Sequence, residues 1–286
     1  TFNFTSGLTT ADVVDGGAGT DVIRVSTNVS TALPNIKNVE VLQADGGTTF
    51  DASTITGLNT VRLASANLGA TVSNVSAAIT VGLQASQSAL TIAALTSGST
   101  VGINLDNSTA TTANAGVDLS AVTLTNIDTL NFSSTGANLA TGATQDLGAG
   151  TAISAKTINV TGNTDATIAI QGSTFTTLAG SAFTAALTVS SSATQTQAIT
   201  TGTGNDTVNL TGTIASTKVA TVSTGDGKDL VVVSSTGDVN VVLGAGDDTF
   251  RITALANLTS TDTLNGGDGT DTLEIATARG TTTANI

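Results

Sequence analysis

Five stretches of this chain hold two glycines and an aspartate at one fixed spacing: GGAGTDVIR (16–24), TGTGNDTVN (201–209), TGDGKDLVV (224–232), LGAGDDTFR (243–251) and GGDGTDTLE (266–274). The second and fourth positions are Gly17 and Gly19, Gly202 and Gly204, Gly225 and Gly227, Gly244 and Gly246, and Gly267 and Gly269. The sixth is always aspartate (Asp21, Asp206, Asp229, Asp248, Asp271) and the eighth always apolar (Ile23, Val208, Val231, Phe250, Leu273). Glycine reaches the positive-φ conformations that bend backbone carbonyls inward. The aspartate adds a hard anionic oxygen, and the apolar residue pins the following strand into a core. Carbonyl and carboxylate oxygens in a loop suit Ca²⁺, which takes about six to eight oxygen ligands. Magnesium demands a stricter octahedron. Zinc prefers histidine or cysteine, and the chain has neither. These glycines and aspartates are the candidate calcium ligands, together with Asp226, Asp247 and Asp268 on the same edge.

A single Asp-Gly turn needs no ion, so repetition decides. The last four sixth-position aspartates follow one another at 23, 19 and 23 residues. If those turns stack one coil apart, the carboxylates recur every ~4.8 Å. Neighbouring bare charges then repel by roughly 1 kcal/mol in water, and by several at an effective dielectric near 20. A divalent ion shared between turns reverses that sign, and five ions would offset ten of the thirteen net negative charges.

The elements around these turns read as short strands. VIRV (22–25), TVRL (60–63), ITVGL (79–83), TIAI (167–170), LVVV (230–233) and others like them are separated by Gly, Asn, Asp, Ser and Thr, which is β-type patterning. No long segment has a convincing helical period, and TALPNIKN (31–38) holds one turn at most. An apolar phrase recurs in NIKNVEVL (35–42), GLNTVRL (57–63) and NIDTLNF (126–132), with Ile36 to Leu58 at 22 positions and Leu58 to Ile127 at 69. A repeating unit of about 20 residues holding two or more strands predicts an all-β parallel β-solenoid, a β-helix or β-roll with Gly/Asp calcium-binding turns. A sandwich of hairpins is the competitor. The continuously apolar runs LVVV and NVVL favour parallel strands covered on both faces. Composition shifts near residue 200, since nine of the 19 aspartates lie between 206 and 271. This divides the chain into a Ser/Thr/Ala-rich solenoid body, 1–200, with one turn motif at 16–24, and a calcium-binding segment, 201–286.

The chain has 286 residues, a formal charge of −13, and no Cys, Met, His, Tyr or Trp. The charge argues against nucleic acid, which needs a Lys/Arg stripe. With no apolar run of about 18 residues, membrane insertion is not expected. The absence of Met, even at position 1, suggests a processed chain or a fragment, and TFNFTSGLTT (1–10) lacks the regions of a signal peptide. Without His or Cys, serine-triad, cysteine-protease and zinc chemistries lose their usual parts. Asp51, Asp118, Asp128 and Asp165 lie outside the glycine turns. They could supply a carboxylate pair for a polysaccharide lyase or hydrolase, although turn or strand-end roles are the commoner fate of such residues. No enzyme is expected.

The phrase G-G-x-G-x-D-x-apolar-x resembles the nonapeptide of the RTX (repeats-in-toxin) calcium-binding β-roll family. GGAGTDVIR and GGDGTDTLE match every fixed position, and the other three replace only the first glycine, by Thr201, Thr224 and Leu243. The spacing departs from that family's tandem blocks: the motifs fall about once per coil, and intervening half-turns such as STGDVNVVL (235–243) are degenerate. Ions would then line one edge rather than two. The Ser/Thr/Asn-rich body is similar to calcium-dependent surface-layer proteins of Gram-negative bacteria. The resemblance implies type I secretion and folding outside the cell, where calcium is abundant. The expected function is a secreted, calcium-dependent structural protein at the extracellular face of a bacterial cell. It would self-assemble into a homo-oligomeric surface layer or filament, in contact with cell-surface polysaccharide. The alternatives are an adhesin or matrix module binding a glycan or partner protein, and the polysaccharide enzyme. The sequence offers no clear cap for the solenoid ends.

Overall fold

A computed structural model describes the chain apart from residues 6, 67–68, 77–78, 109–115, 137–143, 149–152, 154, 172, 216, 236, 278–279 and 286. The chain divides into two compact units, Thr1–Thr151 and Ala152–Ile286. The compositional change near residue 200 therefore falls inside the second unit.

In the first unit the strands Phe2–Phe4, Val22–Val25, Val41–Ala44, Thr60–Leu63, Thr80–Leu83, Ser99–Asp106 and Ile127–Thr135 form one parallel ladder. Between them the chain visits a second parallel ladder, Thr49–Asp51, Ala70–Val75, Leu90–Ala94 and Val122–Thr125. In the second unit the first ladder is Thr157–Gly162, Thr177–Phe183, Gln197–Thr200, Val219–Asp226, Asp238–Ala245 and Thr263–Asp268. The second is Ala166–Ile170, Leu187–Ser191, Thr207–Leu210, Leu230–Val233, Thr249–Ile252 and Thr272–Thr277. In the second unit each coil contributes one strand to each ladder, and in the first the coils beginning at Val41, Thr60, Thr80 and Ser99 do so; successive coils stack in parallel, so both units are parallel β-solenoids and the hairpin sandwich is excluded. Among the described residues the one helical segment is a 3₁₀ turn, Leu255–Asn257. No helix among the described residues is long and apolar enough to cross a membrane. TALPNIKN holds a single turn closed by the Ile36 N–H on the Leu33 carbonyl.

Alternation along each strand sends every second side chain inward. Ile23, Leu42, Val61, Val81, Ile103 and Phe132 occupy one continuous inner column of the first unit and are almost wholly buried. Val189, Val208, Val231 and Phe250 do the same in the second. Each such side chain stabilises the fold by roughly 1.5–3 kcal/mol. That inner column corrects the phrase alignment drawn from the sequence. Val61 shares its column with Leu42 and Phe132 rather than with Val39 and Leu130, and the steps from Leu42 through Val61, Val81 and Ile103 to Phe132 take 19, 20, 22 and 29 residues. A second correction concerns the apolar runs. Val231 and Val233 are buried, but Leu230 and Val232 face outward half-exposed, and Val242 of NVVL is 38% exposed. The strands are parallel without being covered on both faces. A third concerns the cap. The strand Gly280–Asn285 turns back and pairs antiparallel with Thr272–Thr277, covering the last edge of that ladder.

Candidate metal centre: the stacked aspartate turns

In the second unit four of the five Gly/Asp motifs lead from a strand of the first ladder into a strand of the second. The registers Thr207–Leu230, Leu230–Thr249 and Thr249–Thr272 set Asp206, Asp229, Asp248 and Asp271 directly in line, one per coil. The sequence intervals of 23, 19 and 23 are thus true coil lengths. The glycines stack too, as Gly202, Gly225, Gly244, Gly267 and as Gly204, Gly227, Gly246, Gly269. At the last three of each row a Cβ would collide with the carbonyl oxygen of the glycine one coil before. The turns approach so closely that only glycine fits.

All four aspartates are about 1% exposed, although their turns lie at the surface. Each reaches towards the preceding coil. Asp206 Oδ1 accepts the Leu187 N–H at 2.8 Å, Asp229 Oδ1 the Asp206 N–H at 2.7 Å, Asp248 Oδ1 the Asp229 N–H at 2.8 Å, and Asp271 Oδ1 the Asp248 N–H at 3.1 Å. The second oxygens differ. Asp206 Oδ2 accepts the Gly202 N–H at 3.1 Å. Asp271 Oδ2 packs against Gly266. Asp229 Oδ2 and Asp248 Oδ2 are buried and have no hydrogen-bond partner.

Burial sets the electrostatics. It pushes the Asp229 carboxyl up to about 6, with the neighbouring Asp206 and Asp248 carboxylates adding to the rise and the Asp206 N–H opposing it. Asp206 is raised by burial, and Asp248 by burial together with Asp271 and Asp247. A carboxylate stripped of water, with one oxygen unpaired, is costly when charged. A hard cation would supply the missing partner, so the donors present fit one. Among the described residues no three acidic side chains gather closely enough to hold a metal by themselves. A cation here would draw most of its ligands from backbone carbonyls, which the glycine stacks line up coil by coil.

The remaining candidates are placed less centrally. Asp226 and Asp268 are exposed and stand two coils apart with Ala245 between them. Exposed Asp247 accepts the Thr270 N–H at 3.0 Å, as Asn205 accepts that of Lys228. The motif at 16–24 is isolated. It leads from Val14–Asp15 into Val22–Val25, the space beside Gly17 and Gly19 is open, and Glu40 rather than an aspartate accepts the Asp21 N–H, at 2.9 Å. In the degenerate half-turn 235–243, whose residue 236 lies outside the described set, the sixth position is Asn240, exposed on the outer face.

Of the four acids outside the motifs, Asp51 accepts Ser53 and Asn74, Asp165 accepts the Ala186 N–H, and Asp128 sits in the strand Ile127–Thr135. Asp118 is raised by burial and by Asp146, an acid the sequence did not single out. Other contributors also escaped notice. The Thr201 hydroxyl donates to the Thr224 carbonyl at 2.8 Å and the Thr224 hydroxyl to the Leu243 carbonyl at 2.6 Å, both inside the turn stack. Asp262 accepts the Val239 N–H at 2.8 Å, so, as at Asp165, carboxylate-to-coil bonds also form away from the turn stack in this unit. The replacement of the motif's first glycine by threonine was the available signal for the hydroxyl ladder.

Comparison with family models, curated proteins and solved structures finds no match. The functional reading rests on the residues themselves.

Proposed function

We propose that the protein is a calcium-dependent, secreted structural subunit that assembles with copies of itself at a bacterial cell surface, as a surface layer or extracellular filament. Calcium belongs at the stacked turns of the second unit and stabilises their order there. The observation that carries this reading is the pair of buried, unpartnered oxygens on Asp229 and Asp248 within a column of four carboxylates. The oxygen-only donor set supports calcium, and the resemblance of the nonapeptides to the RTX family supports export before folding. Extracellular calcium sites bind at roughly 10⁻⁴–10⁻³ M, a range that leaves the chain metal-free in the cytosol.

Assembly is supported by the outer faces. Thr49, Thr71, Thr91 and Thr123 form one outward row, and Thr167, Thr188 and Thr207 another that resumes after Leu230 with Thr249 and Thr272. Each row repeats about every 4.8 Å and bears no charge, so a second copy presents a surface of identical period.

The test is light scattering of purified protein as calcium is added and then chelated. Calcium-triggered, chelator-reversed polymerisation is the expected result. Particles that stay monomeric at millimolar calcium, or assembly indifferent to chelator, contradict the reading.

A further inference from the structure

The five motifs are nearly identical in sequence, yet their carboxylates are not equivalent in the fold. Asp206 stands at the start of the column, where the preceding coil offers Leu187 rather than another aspartate. Both of its oxygens accept backbone N–H groups, one from Leu187 and one from Gly202 within its own turn. An anion holding two amide hydrogens is satisfied without a cation. Asp229 and Asp248 occupy the same rotational position one and two coils later. Each has one oxygen on the preceding aspartate's N–H and the other buried and alone. In both turns the position corresponding to Gly202 is Gly225 or Gly244, at φ +96° and +109°. Gly202 itself is not among the positive-φ glycines. The turn that closes on its own carboxylate is therefore built differently from the two that follow it.

Asp21 belongs to neither class. Its motif has no stacked copy, Gly17 and Gly19 border open space, and its side chain is half-exposed and able to keep its water. Asp271 ends the column, with one oxygen on the Asp248 N–H and the other against Gly266.

We infer that the chain holds two calcium ions rather than five, one at the Asp229 turn and one at the Asp248 turn, and that Asp206 is the closed, cation-free end of the array. This rests on calcium being the ligand of the stacked turns. Its carboxylate ties the Leu187 amide of the preceding coil to the Gly202 amide of its own turn.

Calcium stoichiometry of the full chain tests this, by native mass spectrometry and equilibrium dialysis against calcium chloride. Two ions are expected in the native protein. Two are also expected in Asp21→Asn and Asp206→Asn, whereas Asp229→Asn and Asp248→Asn each lose at least one. Three or more ions in the native protein, or loss of an ion in Asp206→Asn with its circular dichroism unchanged, overturns the inference while leaving calcium binding intact. No bound ion at millimolar calcium overturns the calcium reading itself. Should a variant fail to fold, crystals of the native protein grown with calcium decide the matter. Anomalous density beside Asp229 and Asp248 and none beside Asp206 is expected, and density beside Asp206 refutes the assignment.

Discussion

The Asp248 carboxylate accepts the backbone N–H of Asp229 at 2.8 Å across 19 residues of sequence, and its other oxygen is buried without a partner. One side chain thus fastens two coils together and presents an unneutralised charge at the same corner. Removing either function has a distinct signature.

Calcium should raise the unfolding free energy of the native protein by about 1.4 kcal/mol per occupied site when free calcium is tenfold above Kd. In the Asp229→Ala, Asp248→Ala double variant that increment should vanish. Urea titrations with calcium and with chelator measure it. An undiminished calcium response in the double variant counts against these residues as ligands.

The metal-free protein should gain stability as pH falls from 7 towards 4. With Asp229 raised to about 6 and the unfolded carboxyl near 3.9, the folded state holds a proton that the unfolded chain has released across that window. The destabilisation is fully developed above about pH 6 and absent below about pH 4, and amounts to roughly 3 kcal/mol for Asp229. Asp206 and Asp248 shift in the same direction. Asp51 acts oppositely in a lower window. Burial raises its carboxyl, but hydrogen bonds from Ser53 and Asn74 outweigh that, so its contribution is lost only below about pH 4. Thermal melts in chelator from pH 4 to 8 check the sign, and a stability that drops between pH 7 and 5 contradicts it.

Gly244→Ala should unfold or strongly destabilise the second unit, by at least about 3 kcal/mol. The new Cβ meets the Gly225 carbonyl oxygen, and φ of +109° adds backbone strain. Gly17→Ala shares the positive φ, +83°, but has open space around it, so only the conformational cost of about 1–2 kcal/mol remains. Denaturant midpoints of the two variants give the comparison, and equal losses would show that the turns do not stack as described.

Thr224→Val should cost about 1–3 kcal/mol by leaving the buried Leu243 carbonyl without its hydroxyl donor. Thr224→Ser, which keeps that donor, should recover most of the loss. Urea titration of both variants is the measurement, and a neutral Thr224→Val removes the hydroxyl ladder from the stabilising interactions.

Much of the fold was legible because the aspartate intervals equal coil lengths, so Asp206, Asp229, Asp248 and Asp271 announce the parallel stack directly. The apolar phrase misled because its buried positions do not alternate strictly. Val39, Val41 and Leu42 are all buried, and nothing local says which one faces Val61. Leu230, Val232 and Val242 look like core residues and face outward. The antiparallel strand Gly280–Asn285 gave no warning, since direction depends on how the chain turns rather than on composition. At the site, the sixth-position aspartates could be read from spacing. The inequivalence of Asp206 could not. It comes from the neighbouring coil, where Leu187 ends the column, and from a Gly202 amide that turns towards the carboxylate.

Hydrogen–deuterium exchange of the full chain, resolved along the sequence in chelator and in millimolar calcium, is the most direct test that cations bind the stacked aspartate turns. Calcium should slow exchange at the Asp206, Asp229 and Asp248 amides and through 224–252, leaving residues 16–24 unchanged. Exchange through 224–252 that is identical in both conditions would contradict it.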